Sequence, residues 1–396
     1  MTTTKPELIQ SASEMDVLLA RLEGCSLIAV DTEFIRETTY YPQLALVQVA
    51  TDSIVACIDP LAFDARDALK KIFLEPGITR IFHSCSQDME VLFYYLGKTP
   101  ISIYDTQIAN ALLDENHQIG YASLVERELG VQLDKSQTRT NWLQRPLTDK
   151  QLAYAGDDVI YLYRLHEILD QRLDLSGRKS WFDEETTHLN NQLGNFQIET
   201  DSLWKRVKGS NKLPRDKLAI VQYIAEWREQ LAQREDKTRR RVLADDIVIR
   251  LAIEAVDDIH LLDAVLGPRY RFDETDKLVL LTAIENATRS SPESWPDNRF
   301  SLLDNEQKRL LKTLQQSIND KADELGISSA VLASRKDLEK IILTTVTEHD
   351  SNKGSRSSPT KKQHARSILT DVETWRYQLF GQRLTEIIKQ AAEKPE

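Results

Sequence analysis

Cysteine is scarce in this chain of 396 residues. The three thiols, Cys25, Cys57 and Cys85, lie far apart and form no C-x-x-C pair. This scarcity excludes a disulfide scaffold and a cysteine-based zinc site. We therefore expect buried, free thiols.

Long apolar runs are also missing. No stretch of the chain reaches the roughly 18 uncharged apolar residues that a membrane-spanning helix needs. The first ten residues, MTTTKPELIQ, contain neither a basic cluster nor an apolar core. We expect no membrane association and no signal peptide, and therefore a cytoplasmic location.

An overall basic charge is absent as well. Fifty-one Lys and Arg residues face 62 Asp and Glu residues, for a net charge of −11. That balance argues against a protein coated by nucleic acid or held to an anionic membrane. One segment has the opposite sign, because residues 205–241 contain twelve basic and five acidic side chains.

The pattern of apolar residues predicts an α/β domain followed by all-α domains. Three apolar runs predict strands whose connections are too short for crossover helices, which favours an antiparallel meander over 27–30, 44–49 and 54–58. Helix and strand then alternate, as crossover units require, over 65–73, 80–82, 87–96 and 101–104. The result is a mixed sheet covered by helices, and from residue 201 onward helical periodicity replaces the strand signals.

The length of the chain and the positions of its prolines predict three domains. We place them at 1–200, 201–295 and 296–396, with the prolines Pro292 and Pro296 marking the second boundary. Within the last domain, residues 349–366 are polar and contain no large apolar side chain, so we expect a mobile loop there.

Two acidic residues follow the first predicted strand. Asp31 and Glu33 are two apart in Val30-Asp31-Thr32-Glu33-Phe34, and strand residues two apart project to the same face. Two adjacent carboxylates are costly to bury unless a cation neutralises them. Taken alone, the pair is better explained as the end of a strand turning into solvent.

Two further segments present polar groups on helices. Tyr154 and Asp158 are four apart, so they share one face of a predicted helix, whereas Asp157 faces elsewhere. Asp88 falls in the first turn of a helix, where the helix dipole favours an acid in any case. Asp105, directly after a strand, is interpreted as a helix cap.

The set taken together resembles the DEDD exonuclease superfamily in its tyrosine subclass, and within it the ribonuclease D family. Asp31-x-Glu33, Asp88 and Tyr154-x-x-x-Asp158 occur in the order and contexts of that superfamily. Neighbouring residues are similar too, among them His83-Ser84, Tyr104-Asp105-Thr106 and Arg145-Pro146-Leu147. Trp204 to Gly209 and Arg239 to Leu243 resemble the helicase-and-RNase-D C-terminal (HRDC) domain, and the segment 302–389 is similar to a second such domain.

This resemblance implies an RNase H-like exonuclease domain, with catalytic residues Asp31, Glu33, Asp88, Tyr154 and Asp158. The four carboxylates would hold two divalent ions, Mg²⁺ or Mn²⁺, a pairing that suits hard oxygen ligands. Asp31, Glu33 and Asp158 would hold the ion that activates water, Asp31 would bridge to the second ion, and Asp88 would support that second ion. Tyr154 would orient the attacking water.

The implied function is a metal-dependent 3′→5′ exoribonuclease that trims RNA precursors, tRNA in particular, and releases nucleoside 5′-monophosphates. RNA is the expected partner, with no obligatory protein partner. We expect phosphate contacts from nine basic residues: Lys135, Arg139, Arg145, Lys205, Arg206, Lys208, Arg239, Arg240 and Arg241. Two alternatives stay open at this point, a DNA-directed exonuclease and a non-catalytic nucleic-acid-binding protein.

Overall fold

The chain forms two compact units. The computed structural model describes residues 6–134, 136–138, 140–193, 196, 200–296, 303–351 and 374–392. The first unit comprises Met1–Glu33, Leu44–Asn195 and Ser301–Glu396, and the second comprises Phe34–Gln43 and Phe196–Phe300.

A six-stranded mixed sheet lies at the centre of the first unit. Its strands are β1 (Glu7–Ile9), β2 (Leu27–Ile35), β3 (Gln43–Ala50), β4 (Val55–Ile58), β5 (Thr79–Phe82) and β6 (Ile103–Asp105). They lie in the order β1-β4-β3-β2-β5-β6. Strands β3 and β4 are antiparallel, whereas the pairs β1–β4, β2–β5 and β5–β6 are parallel. The mixed sheet predicted from the sequence is confirmed.

Two strands differ from the sequence-based expectation. Strand β1 was not anticipated, because three residues are too few for a periodic pattern; it adds to the sheet by parallel pairing with β4. Strand β2 continues to Ile35. Asp31 and Glu33 therefore lie inside a strand rather than at its end.

Helices cover the sheet of the first unit. In chain order they are α1 (Ala12–Leu22), α2 (Arg66–Leu74), α3 (Ser86–Leu96), α4 (Thr106–Ala111), α5 (Tyr121–Leu129), α6 (Asp149–Leu175) and α7 (Lys179–Leu193). The long helix α6 packs on the sheet, since its Val159 and Leu162 share a core cluster with Ala29 of β2 and Ile81 of β5. The apolar face that buries these side chains also determines which residues of α6 face the strands.

The last helices belong to the first unit. They follow the helices of the second unit along the chain and are α13 (Asn305–Leu325), α14 (Ser329–Leu332), α15 (Arg335–Ser351) and α16 (Gln382–Ala392), with a π-helical turn at Tyr377–Gly381. Trp375 stacks on Trp181 of α7 with ring centroids 4.5 Å apart. Arg178 donates a hydrogen bond of 2.7 Å to the carbonyl of Leu325. The described part of 296–396 thus shares a core with the sheet, and its assignment as a second HRDC-like domain stays a prediction.

The first three residues of the expected mobile loop, 349–351, differ from the expectation. Helix α15 continues to Ser351, so residues 349–351 are helical. Residues 352–366 lie outside the described residues.

The second unit is helical. It contains α8 (Arg215–Arg234), α9 (Arg239–Val242), α10 (Asp245–Glu254), α11 (Ile259–Leu266) and α12 (Glu274–Arg289), with 3₁₀ turns at Thr200–Arg206 and Ser210–Lys212. The buried face of α8 is the predicted one: Leu218, Val221, Ile224, Trp227 and Leu231. The described residues after Asp105 contain no strand, so the all-α expectation is confirmed. None of the helices in the described ranges is long and apolar enough to cross a membrane.

Candidate active site

Three carboxylates meet where β2 and α6 pack together. Asp31 and Glu33 project from one face of β2, and Asp158 comes from α6. One carboxylate oxygen from each residue lies within 4.8 Å of the other two. Among the residues that the structure describes, this is the one group of His, Cys, Asp and Glu side chains close enough to share a metal ion.

The start of α6 fixes the position of Tyr154 and Asp158. Thr148 caps the helix, and its side chain and that of Gln151 form a reciprocal capping box. One turn inside the helix, the Tyr154 side chain lowers the pKa of the Asp158 carboxyl group, and both residues line one cleft with Thr138. The predicted i, i+4 pair therefore lies on one side of α6, with the phenol beside the carboxylate cluster.

Asp88 lies in the first turn of α3, as the sequence indicated. The Thr32 hydroxyl donates a 2.5 Å hydrogen bond to its carboxylate. Asp88 is outside the group of three carboxylates, yet its charge contributes to the raised pKa values of Asp31 and Glu33. It is thus a close neighbour of the cluster, and the sequence did not indicate that Thr32 would hold it.

The cluster is electrostatically unfavourable without a cation. Burial, followed by the charges of Asp158 and Asp88, raises the pKa of Glu33 to about 9. Burial also raises the pKa of Asp88 to about 7 and that of Asp158 to about 7, the latter against the hydrogen bond from Tyr154. The pKa of Asp31 rises well above its usual range, because of burial first and of the other three carboxylates next.

The donor set fits a divalent cation of the hard class. Each ligand atom is a carboxylate oxygen, which suits Mg²⁺ or Mn²⁺ and not the soft metals that thiolates bind. A bound cation would also offset the repulsion that raises these pKa values. An acidic cluster suited to divalent metal is therefore present.

Two acidic residues are not part of the cluster, as the sequence predicted. Asp105 caps α4, and its carboxylate accepts hydrogen bonds from the backbone N–H groups of Ser84, Cys85 and Gln107. Asp157 lies one position from Asp158 on α6 and is absent from the metal-compatible group.

A cleft of about 240 Å³ adjoins Tyr154 and Asp158. Tyr121 of α5 lines it, and its hydroxyl donates a 2.9 Å hydrogen bond to the carbonyl of Asp157. The His83 ring packs near Tyr121, with centroids 5.7 Å apart. Sequence reasoning missed Tyr121, because nothing in its local pattern distinguishes it from an ordinary helix-start residue.

Two of the nine predicted phosphate-binding residues have guanidinium groups that are hydrogen-bonded inside the protein. The Arg145 guanidinium donates to both oxygens of buried Asp59, each at 2.7 Å, and also to the carbonyl of Ala45. Arg239 is paired with Glu229, which is 2% exposed. These bonds occupy the guanidinium groups, so the structure argues against a role for Arg145 and Arg239 as phosphate contacts.

The other basic residues divide into two groups. Lys205, Arg206, Lys208, Arg240 and Arg241 are exposed in the second unit. Lys135 and Arg139 lie outside the described residues.

The chain is similar in sequence to a known protein family and to several characterised relatives. Residues 6–174 match the 3′-5′ exonuclease family. Ribonuclease D of Bartonella henselae is 31% identical over 388 residues, which are 97% of this chain and 90% of that protein. Ribonuclease D of Desulfotalea psychrophila is 34% identical over 340 residues, with 85% and 90% covered.

Among solved structures, that of Escherichia coli RNase D, described as an exoribonuclease involved in structured RNA processing, superposes with a TM-score of 0.80. It is 27% identical and covers 98% of this chain and 99% of that one. The sheet, the carboxylate cluster and the family match define a 3′-5′ exonuclease. The chain belongs to the ribonuclease D family, and its class of activity is that of a 3′-5′ exoribonuclease.

Proposed function

We propose that this exoribonuclease trims the 3′ ends of RNA precursors, tRNA in particular, in the cytoplasm by two-metal-ion hydrolysis. The observation that supports it best is the group of three carboxylates within 4.8 Å, with Tyr154 beside one of them. When bound, two Mg²⁺ or Mn²⁺ ions lower the pKa of the attacking water and offset charge that develops on the phosphoryl group.

Each residue has a distinct part in this proposal. Asp31, Glu33 and Asp158 would hold one ion, and Asp31 and Asp88 would support a second. Tyr154 orients the water through its hydroxyl. The water oxygen forms a bond to phosphorus, the bond to the preceding 3′ oxygen breaks, and that oxygen takes up a proton. The products are a nucleoside 5′-monophosphate and an RNA one nucleotide shorter.

The exposed basic residues of the second unit support capture of structured RNA. Neutralising phosphates releases counterions, which gives affinity with little dependence on sequence. The five that remain candidates are Lys205, Arg206, Lys208, Arg240 and Arg241, and they sit on a chain whose overall charge is negative. Such local capture suits an enzyme that processes many different 3′ ends.

A comparison of substrates tests the proposal. Purified protein is incubated with RNA and DNA strands of identical sequence, and with a tRNA bearing a 3′ tail, in Mg²⁺, Mn²⁺ or EDTA. We expect metal-dependent release of 5′-monophosphates from RNA and from the tailed tRNA. Equal degradation of DNA would favour the DNA-directed alternative, and binding without hydrolysis in either metal would favour the non-catalytic one.

The salt dependence of RNA affinity tests the capture surface. Arg241→Gln should reduce the slope of log affinity against log salt by about 0.7 if the residue contacts one phosphate of a single strand. Lys312→Gln, an exposed cation on α13, is the matched control and should leave the slope unchanged. Equal slopes for wild type and Arg241→Gln would remove Arg241 from the surface.

A further inference from the structure

Gln48 is a buried polar residue with no hydrogen-bond partner among the residues that the structure describes. Its side chain on β3 is 0% exposed, and neither Oε1 nor Nε2 has a partner among the described residues. Buried polar groups are nearly always hydrogen-bonded, because the desolvated group otherwise loses its interaction with water. An amide that costs stability in this way calls for a reason other than packing.

The face of the sheet on which Gln48 lies is the face of the metal-compatible carboxylates. Strands β2 and β3 are neighbours, and their connection, residues 36–42, is too short for a parallel crossover. Ala29 of β2 and Ala50 of β3 share one core cluster. Asp31 is two residues beyond Ala29, and Gln48 is two residues before Ala50. Residues two apart in a strand project to the same face, so Gln48 lies on the face of the sheet that carries Asp31.

The residue paired with Gln48 on the other neighbouring strand, β4, indicates the same face of the sheet. Gln48 is the register partner of Cys57 on β4, and such partners lie side by side on one face. Burial first, and then the charges of Asp158 and Glu33, raise the pKa of the Cys57 thiol to about 12. The electric field of the carboxylate cluster therefore reaches the residue adjoining Gln48.

We propose that Gln48 is a positioning residue whose Nε2 donates a hydrogen bond to the Asp31 carboxylate when the site holds its divalent cation. The inference rests on the metal site of the proposed function. A carboxylate oxygen that binds a cation keeps a second lone pair. A fixed hydrogen-bond donor to that lone pair sets the orientation of the carboxylate. In this arrangement, the amide is retained for metal binding at the expense of stability in the metal-free protein.

Two buried, unpartnered polar groups allow a matched test. Gln48→Met and Gln48→Leu remove the donor and keep an apolar side chain. Tyr104→Phe removes a buried hydroxyl that has no hydrogen-bond partner within the described part of the chain. Its ring contacts His166 and Phe182. Mn²⁺ binding is measured by calorimetry and by electron paramagnetic resonance, and thermal unfolding is measured without metal.

The expected results separate positioning from packing. Gln48→Met should unfold at the same temperature as wild type or higher, as Tyr104→Phe should, but only the Gln48 variants should weaken Mn²⁺ binding, by about tenfold. Saturating Mn²⁺ should restore most of the turnover of Gln48→Met without a change in KM for RNA. Wild-type Mn²⁺ affinity in both Gln48 variants would overturn this inference, whereas failure of the wild-type chain to bind Mn²⁺ would overturn the proposed function.

Discussion

Buried carboxylates in the two units differ in what neutralises them. In the second unit, Glu229 accepts hydrogen bonds from Arg239 and from the Tyr40 hydroxyl, and the Arg239 guanidinium also lies over the Tyr40 ring. In the first unit, Asp31 and Glu33 have other carboxylates as their main charged neighbours. We call Glu229 with Arg239 the balanced cluster, because a cationic side chain offsets its charge. We call Asp31, Glu33 and Asp158 the unbalanced cluster, because it requires a cation from outside the chain.

A balanced pair in the first unit shows that the contrast does not depend on the unit. Burial alone would raise the pKa of Asp59, but hydrogen bonds from Arg145 and the charge of that guanidinium lower it. Asp59 and Arg145 therefore form a structural ion pair. Charge balance thus separates structural from functional acids, which residue type and burial alone do not.

The largest expected effect comes from removing one charge of the unbalanced cluster. Asp31→Asn should lower the exonuclease rate by at least about 1,000-fold, because loss of a ligand removes several kcal/mol of transition-state stabilisation. The metal-free variant should be no less stable than wild type, because one repulsive charge is gone. Single-turnover cleavage of labelled RNA and thermal unfolding measure the two properties.

Asp157→Asn is the control for that experiment, because Asp157 adjoins Asp158 in sequence but lies outside the cluster. It should keep activity within a few fold of wild type. Comparable rates for Asp31→Asn and wild type would contradict the assigned ligand.

Removing the carboxylate of the balanced cluster should have the opposite effect on stability. Glu229→Ala leaves Arg239 without its buried partner and should destabilise the second unit by about 3 kcal/mol. Urea unfolding followed by circular dichroism measures the loss. The double variant Glu229→Met with Arg239→Met should recover much of it. An unchanged midpoint in Glu229→Ala would show that the pair contributes little.

Tyr154→Phe tests the group that borders the unbalanced cluster without adding charge to it. The rate should fall about 100-fold, because the hydroxyl that orients water is lost, while KM for RNA and Mn²⁺ affinity should stay near wild type. Tyr163→Phe, on the same helix, is the matched control and should have no effect. A rate equal to that of the control would make Tyr154 a packing residue.

Much of the unbalanced cluster was predictable because its residues follow local periods. Two residues along a strand and four along a helix fix a shared face, so Asp31 with Glu33, and Tyr154 with Asp158, could be paired from the sequence. Contacts distant in sequence could not. Arg145 was expected to bind phosphate, because its partner Asp59 lies 86 positions away and no local pattern links the two residues.

The fold likewise has elements that the sequence predicts and elements that it does not. The long apolar runs and the face of α8 were predictable, since many residues repeat one period. Strand β1 was not, because its three residues are ordered by parallel pairing with β4. Gln48 stands in an apolar strand pattern, and only tertiary structure shows that its amide lacks a partner.

The smallest expected effect, taken per pH unit, is a pH dependence of stability that arises in the unbalanced cluster. Unfolded carboxyl groups titrate near pH 4, whereas burial raises the folded pKa of Asp158 to about 7 and, with neighbouring charges, that of Glu33 to about 9. The folded state then binds more protons, so the stabilisation is complete below pH 4 and is lost as pH rises through 7 to 9. The free energy of unfolding of metal-free protein should therefore fall as pH rises from 4 towards 9, by at most about 1.4 kcal/mol per pH unit for each titrating group.

Saturating Mn²⁺ should remove most of the slope, since a bound cation replaces the protons. Asp31→Asn should flatten it without metal, and Glu229→Ala should leave it unchanged. Equal slopes with and without Mn²⁺ in wild type would show that the carboxylates near β2 do not differ from the balanced ones.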